Sequence, residues 1–264
     1  MKNLKQQYKD ESNLQKRIQI HKYGVAEESW QEFLKQNINL GEGYKILEIG
    51  CGTGMLWKSL LESHPPIKQI VLSDFSNGML ENSKENLKEK SNEYDIQYKK
   101  IDATSIPFEN NTFDIVIANH VLYHVTDVER SLSEISRVLK AEGQFFATTI
   151  GKNNMLELKD IVHTYFPSIE NDIFFNQFLE NFSLENALQK TNPFFKKCER
   201  TDYEDYLLIP HPEPLIEYIE SFNLPDILNS DTKRTNFKNR LLHDLDFKNG
   251  LRINKEIGLI TCQK

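Results

Sequence analysis

The sequence predicts an α/β protein built on a seven-stranded, mostly parallel sheet, with an antiparallel C-terminal edge strand and a helical insertion after the fifth strand. Three observations predict it. Between residues 44 and 150, short and almost purely apolar runs alternate with amphipathic helical stretches. Such runs mark strands buried on both faces by helices, as in a parallel sheet. A phenylalanine-rich stretch over 152–194 breaks the alternation. Two more apolar runs then follow, joined by helical segments, an arrangement that pairs them antiparallel. With 264 residues, 39% of them hydrophobic and 27% charged, the chain can bury a sizeable core.

The elements follow in order. Residues 11–38 read as helical: Leu14, Ile18 and His21 fall at i, i+4 and i+7, Trp30, Phe33, Leu34 and Ile38 form a second stripe, and Gly24 separates the two. After a turn at Gly41-Glu42-Gly43, Lys45-Ile46-Leu47-Glu48-Ile49 forms the first buried strand. A helix over 55–62 carries Leu56, Trp57, Leu60 and Leu61 on one side and stops at Pro65-Pro66. The second strand, 69–74, leads into a helix over 76–90; the third, 96–101, ends at Asp102; the fourth, 113–118, ends at Asn119. Thr126-x-x-Glu129 supplies a capping box for the next helix, whose apolar face is Val128, Leu132, Ile135 and Leu139. Gly143 closes that helix, and 144–150 is the fifth strand. The stretch 152–194 holds Phe166, Phe174, Phe175, Phe178, Phe182 and Phe194 in helical pieces over 155–166, 172–182 and 184–190. Strands over 195–209 and 252–262 enclose two helices, marked by Leu215, Tyr218, Ile219 and Phe222 and by Phe237, Leu241 and Leu245. The expected domains are 1–43, a helical cap; 44–151, a ligand-binding core; 152–194, a helical insertion over the sheet; and 195–264, which completes the sheet.

Composition narrows the function. A net charge of −7 provides no global positive field for nucleic acid or anionic lipid. No run approaches the roughly 20 apolar residues that span a bilayer. The first residues lack the apolar stretch of a secretion signal. Cys51, Cys198 and Cys262 are too few and too scattered for a disulfide framework or a zinc site. These features describe a soluble, cytoplasmic protein without a metal site.

The sharpest motif is Glu48-Ile49-Gly50-Cys51-Gly52-Thr53-Gly54. Alternate glycines after a buried strand let the backbone turn tightly and approach a ligand without Cβ interference. The dinucleotide fingerprint needs its third glycine at position 6, where this chain has Met55. The spacing therefore suits a ligand without a pyrophosphate. Cys51 lies between the glycines of this loop, and its thiol is not expected to act as a nucleophile. A carboxylate at a strand end, as at Asp74 and Asp102, can accept two hydroxyl bonds from a diol.

This segment resembles the class I S-adenosylmethionine-dependent methyltransferases, in particular the small-molecule branch that holds the ubiquinone/menaquinone C-methyltransferases. The resemblance extends over residues 44–150 and implies a Rossmann-like sheet with S-adenosylmethionine as cofactor. It implies that Glu48, Gly50, Cys51, Gly52 and Gly54 line the methionine part, that Asp74 holds the ribose hydroxyls, and that Phe75 and Met79 pack against the adenine. It further implies that Asp102 and the Ala103 N–H read the adenine edge, and that Asn119 meets the methionine. Leu139-Lys140-Ala141-Glu142-Gly143 resembles the family's L-[KR]-P-G-G turn, with Ala141-Glu142 in place of Pro-Gly.

Methyl transfer from a sulfonium is an in-line displacement, so the protein mainly aligns the acceptor, and a base helps where the acceptor must lose a proton. His120 and His124 follow the fourth strand and are the candidate catalytic residues, because histidine titrates near neutral pH. Tyr123 between them is a candidate for orienting the acceptor. His163 and His211 are weaker candidates. Arg17, His21 and Tyr23, in a stretch resembling uncharacterised bacterial methyltransferases, are candidate substrate-side lid residues. Asn119-His120-Val121-Leu122 lacks the [DNS]-P-P-[YF] of base-methylating enzymes, which disfavours a nucleic acid acceptor. The leading function is methyl transfer to a small molecule. The alternatives are a non-catalytic S-adenosylmethionine-binding protein and a methyltransferase acting on RNA or protein.

Overall fold

The apolar runs between residues 44 and 150 form strands where the sequence places them. The computed structural model describes residues 11–63, 65–167, 178–222 and 227–264. In chain order the elements are α1 (Glu11–Gln19), α2 (Trp30–Asn37), β1 (Lys45–Ile49), α3 (Met55–Leu60), β2 (Gln69–Asp74), α4 (Asn77–Asn86), β3 (Ile96–Lys100), β4 (Phe113–Asn119), α5 (Val128–Val138) and β5 (Leu139–Ile150). They continue with α6 (Leu156–Tyr165), α7 (Ala187–Thr191), β6 (Lys197–Tyr203), β7 (Tyr206–Ile209), α8 (Glu213–Glu220), α9 (Asp231–Asp244), β8 (Leu251–Asn254) and β9 (Ile257–Gln263).

Seven strands form one sheet in the order β3-β2-β1-β4-β5-β9-β6. β1 to β5 run parallel, and β9 runs antiparallel to both β5 and β6. The sheet is thus the mostly parallel, Rossmann-like one expected, with its antiparallel strand one place in from the edge. β6 takes the edge, and β9 returns between it and β5. Strand order reverses at β1 and β4, and ligands of open α/β sheets bind at the carboxyl ends beside such a switch point.

Contact density divides the chain into two compact units: Glu28–Lys152 with Phe178–Tyr203 and Ile257–Lys264, and Met1–Glu27 with Asn153–Gln177 and Glu204–Glu256. This is a different division from the four boundaries read from the sequence. The expected cap 1–43 divides after Glu27. The insertion 152–194 divides as well, its first part clustering with α8 and α9 and its last part with the sheet. Most of the helix expected over 172–182 lies outside the described residues.

In the sheet unit, Leu47, Val71 and Val116 bury against Leu132, Ile135 and Val138 of α5. α5 begins one residue later than the capping box implied. Asp127 is the cap, its carboxylate accepting from the Arg130 N–H at 2.9 Å, which satisfies one of the orphan donors of the first turn. Gly143 belongs to a bulge in β5 rather than to a helix end: Leu139 pairs with Phe113 and Gln144 with Ile115.

The second unit gathers Ile20, Leu158, Val162, Leu207, Leu215, Ile216, Ile219, Phe237, Leu241 and Ile253 into its own core, with β7 and β8 as a separate antiparallel pair. The two long C-terminal strands of the sequence reading are therefore each broken, at Glu204-Asp205 and at Lys255-Glu256. The physical reason is a polar knot. Buried Asp205 accepts from the Val25 and Ala26 N–H groups at 3.0 Å and from Lys255 Nζ at 2.6 Å, so both strands turn to satisfy it. Burial raises the Asp205 carboxyl, but Lys255 and the two N–H groups outweigh burial and hold it below the usual aspartate range.

A native carboxylate with a lowered pKa adds stability above its unfolded value, and that stability is lost as pH falls through the folded value. Urea unfolding of Asp205→Ala is expected to show a loss of about 3–5 kcal/mol, because a buried ammonium loses its carboxylate. The wild-type advantage over this variant should shrink as pH falls below about 4.

Candidate functional site

The loop after β1 is shaped by three glycines in the left-handed region, Gly50, Gly52 and Gly54, at φ +71°, +53° and +76°. L side chains rarely adopt such angles. The three meet different surroundings. A Cβ on Gly50 would overlap Val121, and one on Gly54 would overlap Ser83, so these two let the loop close onto its neighbours. A Cβ on Gly52 would meet nothing within 4 Å, so Gly52 faces open space at the strand ends. Cys51 N–H donates to Ser73 O at 2.8 Å, and Gly52 N–H donates to Asp74 Oδ2 at 3.0 Å. The Asp74 carboxylate also accepts from Ser76 N–H through Oδ1 at 2.8 Å. Burial raises its pKa, against the lowering effect of the N–H groups of Ser76, Gly52 and Phe75. An ionised carboxylate offers about four lone-pair sites, so both oxygens retain acceptor capacity.

Glu48 lies one strand over and is 1% exposed. Its Oε2 accepts from Trp57 Nε1 at 2.6 Å, which fixes α3 to the end of β1. Burial first, and the Asp74 charge in addition, push the Glu48 carboxyl up to about 8 despite the Trp57 bond. The motif's acidic residue is therefore mostly protonated at neutral pH and is buried beneath the loop. Cys51 is buried too, and burial with the Glu48 and Asp74 charges pushes its thiol far up, so it is no nucleophile.

The remaining sequence candidates of the sheet unit cluster at the same strand ends. Phe75 is 54% exposed, whereas Met79 is buried within the turn that Ser76 caps. Asp102 is exposed and its Oδ1 accepts from Thr104 N–H and Oγ1, while Ala103 is buried. α5 holds this loop in place: Glu134 accepts from Ile106 N–H at 2.9 Å, and Arg137 donates to Ile106 O and Phe108 O. Asn119 Oδ1 accepts from Thr148 Oγ1 at 2.6 Å, and that hydroxyl accepts in turn from the His120 N–H. His120 sits at φ +52°, a costly angle for a non-glycine residue. Its ring stands 5.8 Å from Trp30 and 6.4 Å from Tyr123. The His124 ring lies 4.4 Å from that of Tyr123 and 5.2 Å from that of Phe178.

Sequence reasoning overlooked Trp30, Phe33 and Tyr203, whose rings contact one another at 5.2–5.3 Å. The helical stripe of Trp30 and Phe33 was visible in the sequence, but Tyr203 comes from a distant strand. Phe178 and Asn181 also meet the loop after β4, Asn181 Nδ2 donating to Tyr123 O and Val125 O at 3.2 Å.

Arg17, His21 and Tyr23 belong to the other unit. Arg17 donates to Ser221 Oγ and O at 3.2 and 3.0 Å and covers Phe222, which ties α1 to the end of α8. Tyr23 packs on that unit's core. His163 and His211 are in the same unit. Among the described residues, no group of three or more His, Cys, Asp or Glu could hold a metal ion, and no helix is long and apolar enough to cross a membrane.

Residues 47–147 match the family model described as a methyltransferase domain. That stretch of the chain is similar to methyltransferase domains. Over 130 residues, 48% of this chain and 52% of the relative, it is 32% identical to the ubiquinone/menaquinone biosynthesis C-methyltransferase of Teredinibacter turnerae. Over 178 residues, 67% of this chain and 65% of the relative, it is 26% identical to the demethylmenaquinone methyltransferase of Anoxybacillus flavithermus. The chain spans about half the length of the first curated relatives it matches. The YcgJ protein of Bacillus subtilis shares the fold, with TM-score 0.61, 16% identity and coverage of 89% of this chain and 97% of that one. The matched stretch holds the glycine loop, Asp74, Asp102 and Asn119.

Glu48 binds a proton more tightly folded than unfolded, so its contribution to stability is complete below its ordinary value and is lost as pH rises through about 8. Denaturant unfolding of the ligand-free protein is expected to show stability falling from about pH 5 to pH 8, by at most about 1.4 kcal/mol per pH unit from this group. Glu48→Gln keeps an uncharged acceptor for Trp57 and should flatten that slope.

Proposed function

We propose that this protein transfers a methyl group from S-adenosylmethionine to an apolar or aromatic small molecule at the carboxyl ends of β1, β2 and β4. The observation that carries the proposal is the glycine loop held open by Asp74. Gly52 offers backbone with no neighbour where a side chain would stand, and the carboxylate beside it keeps acceptor capacity. An exposed aromatic ring, Phe75, follows directly. Those three features fit the cofactor's chemistry: the loop backbone would lie against the methionine part, Asp74 would accept the ribose hydroxyls, and Phe75 would cover the adenine. Asp102 would accept from the adenine amino group, with Ala103 N–H as donor beside it. Glu48 would act from beneath, by holding α3 and the loop. When bound, the cofactor supplies a methyl group made electrophilic by its sulfonium.

His120 is our candidate base, taking a proton from an acceptor's O–H, N–H or acidic C–H. Its support is a strained backbone at the end of β4, fixed through Thr148 to Asn119. Strain of this kind gathers at functional sites. We assign His124, Tyr123, Phe178 and Trp30 to the acceptor's walls, since the rings around them are apolar. Of the insertion expected over 152–194, we assign an acceptor-lid role only to the part that clusters with the sheet, 178–194. Arg17 serves α1 and α8, and we give it no substrate role. The net charge of −7 supports a small molecule over a nucleic acid.

Calorimetry with S-adenosylhomocysteine tests the cofactor half: binding is expected, and NAD should give none. Asp74→Asn should weaken binding by about 1.5–3 kcal/mol, the worth of bonds to a charged acceptor. Heat with NAD and none with the adenosyl ligand would remove the proposal. His120→Ala should lower turnover by roughly 10²–10⁴-fold with cofactor affinity nearly intact. Incorporation of labelled methyl into a small-molecule extract gives the readout. Equal incorporation by wild type and variant would reduce catalysis to alignment alone.

A further inference from the structure

Two of the three cysteines, far apart in sequence, meet across the sheet edge. Cys198 of β6 is in direct register with Cys262 of β9. The type of pair follows from the neighbouring bonds. Lys264 N–H donates to Gly143 O at 3.0 Å, on the β5 side. Backbone polar groups alternate sides along a strand, so even-numbered residues at the end of β9 face β5 and odd-numbered ones face β6. Gln263 O agrees, accepting from Lys196 N–H at 2.9 Å. Cys198 and Cys262 are therefore a non-hydrogen-bonded pair, the type with Cα atoms about 4.5 Å apart and side chains closest. A disulfide spans Cα separations of about 4.4–6.8 Å. The side chains share the face that carries the α5 core: Cys262 is 1% exposed within it, and half-buried Cys198 packs on its rim. Buried Thr191, at the end of α7, donates its hydroxyl back to Ala187 O and Leu188 O.

We propose that Cys198 and Cys262 form a redox-active dithiol that closes into a cross-strand disulfide and pins the edge strand β6 to β9. The neighbouring Cys262 thiol lowers the Cys198 thiol, outweighing burial, while Cys198 and burial raise Cys262. The more exposed sulfur is thus the better nucleophile, and the buried one is the resolving partner. The oxidant is a low-molecular-weight disulfide, RSSR. The Cys198 thiolate attacks one of its sulfurs, forming a Cys198–SR mixed disulfide and releasing RS⁻, which takes a proton. Cys262 then loses its proton and attacks the Cys198 sulfur, forming the protein disulfide and releasing the second RSH. Two thiols are oxidised by two electrons, and one RSSR is reduced to two RSH. The pinned strand holds the aromatic wall: Tyr203 ends β6, contacts Trp30 and Phe33, and donates to Glu28 O at 2.6 Å. This inference does not depend on the methyl-transfer reading.

The test is thiol counting after incubation of the full chain with glutathione disulfide, by alkylation under denaturing conditions and peptide mapping. Expected is a fall from three alkylatable thiols to one, reversed by dithiothreitol, with Cys198 joined to Cys262 and Cys51 still reduced. Cys262→Ser should retain glutathione on Cys198, because nothing resolves the mixed disulfide. Cys198→Ser should react at least about tenfold more slowly than wild type, since its remaining sulfurs are buried. Three persistent thiols in the wild type, under conditions that oxidise a reference dithiol, would overturn the proposal. So would a bridge through Cys51 or between chains, or a Cys198→Ser variant that reacts like wild type.

Discussion

One hydrogen bond sets the geometry of the strand ends: Gly52 N–H to the Asp74 carboxylate, at 3.0 Å. It joins the loop after β1 to the end of β2, and Cys51 N–H to Ser73 O reinforces the join one residue earlier. The bond forms only because Gly50, Gly52 and Gly54 all take the left-handed conformation, which reverses the chain within a few residues. The same turn directs Gly54 onto α4 and Gly50 onto the loop after β4. A single backbone turn thus fixes three neighbours and leaves Gly52 facing outward. Glu48 completes the arrangement from below. Its neutral carboxyl holds Trp57 without adding a second charge next to Asp74, which would be costly at low dielectric.

Much of this was legible in the sequence, because parallel strands buried on both faces leave an unambiguous record. Ile46-Leu47, Ile70-Val71-Leu72 and Ile115-Val116-Ile117-Ala118 have no polar alternative, and the structure buries each of them almost completely. The glycine spacing and the aspartates at successive strand ends were visible for the same reason, since both follow a strand whose end was certain. The protonation of Glu48 was not visible, because it depends on burial and on a tryptophan from the next helix.

The illegible parts all depend on contacts distant in sequence. Asp205 reads as an ordinary surface aspartate in a strand, yet it breaks two strands because Val25, Ala26 and Lys255 converge on it. Phenylalanines over 152–194 suggested one insertion over the sheet, but hydrophobicity does not say which core a segment joins, and this one divides. The cysteines looked scattered because cross-strand register, rather than spacing, brings Cys198 to Cys262. Arg17 stood out through the resemblance of its stretch to bacterial methyltransferases, and its partner proved to be the carbonyl end of α8.

The central claim is that the strand-end loops around Asp74 form the ligand site. Amide hydrogen exchange with and without S-adenosylhomocysteine tests it most directly, because the readout is resolved along the chain. Expected is added protection at residues 50–54, 75–76 and 102–104, with no change across β7 and β8, which belong to the other unit. Protection confined to the other unit, or unchanged exchange at 50–54 under saturating ligand, would contradict it.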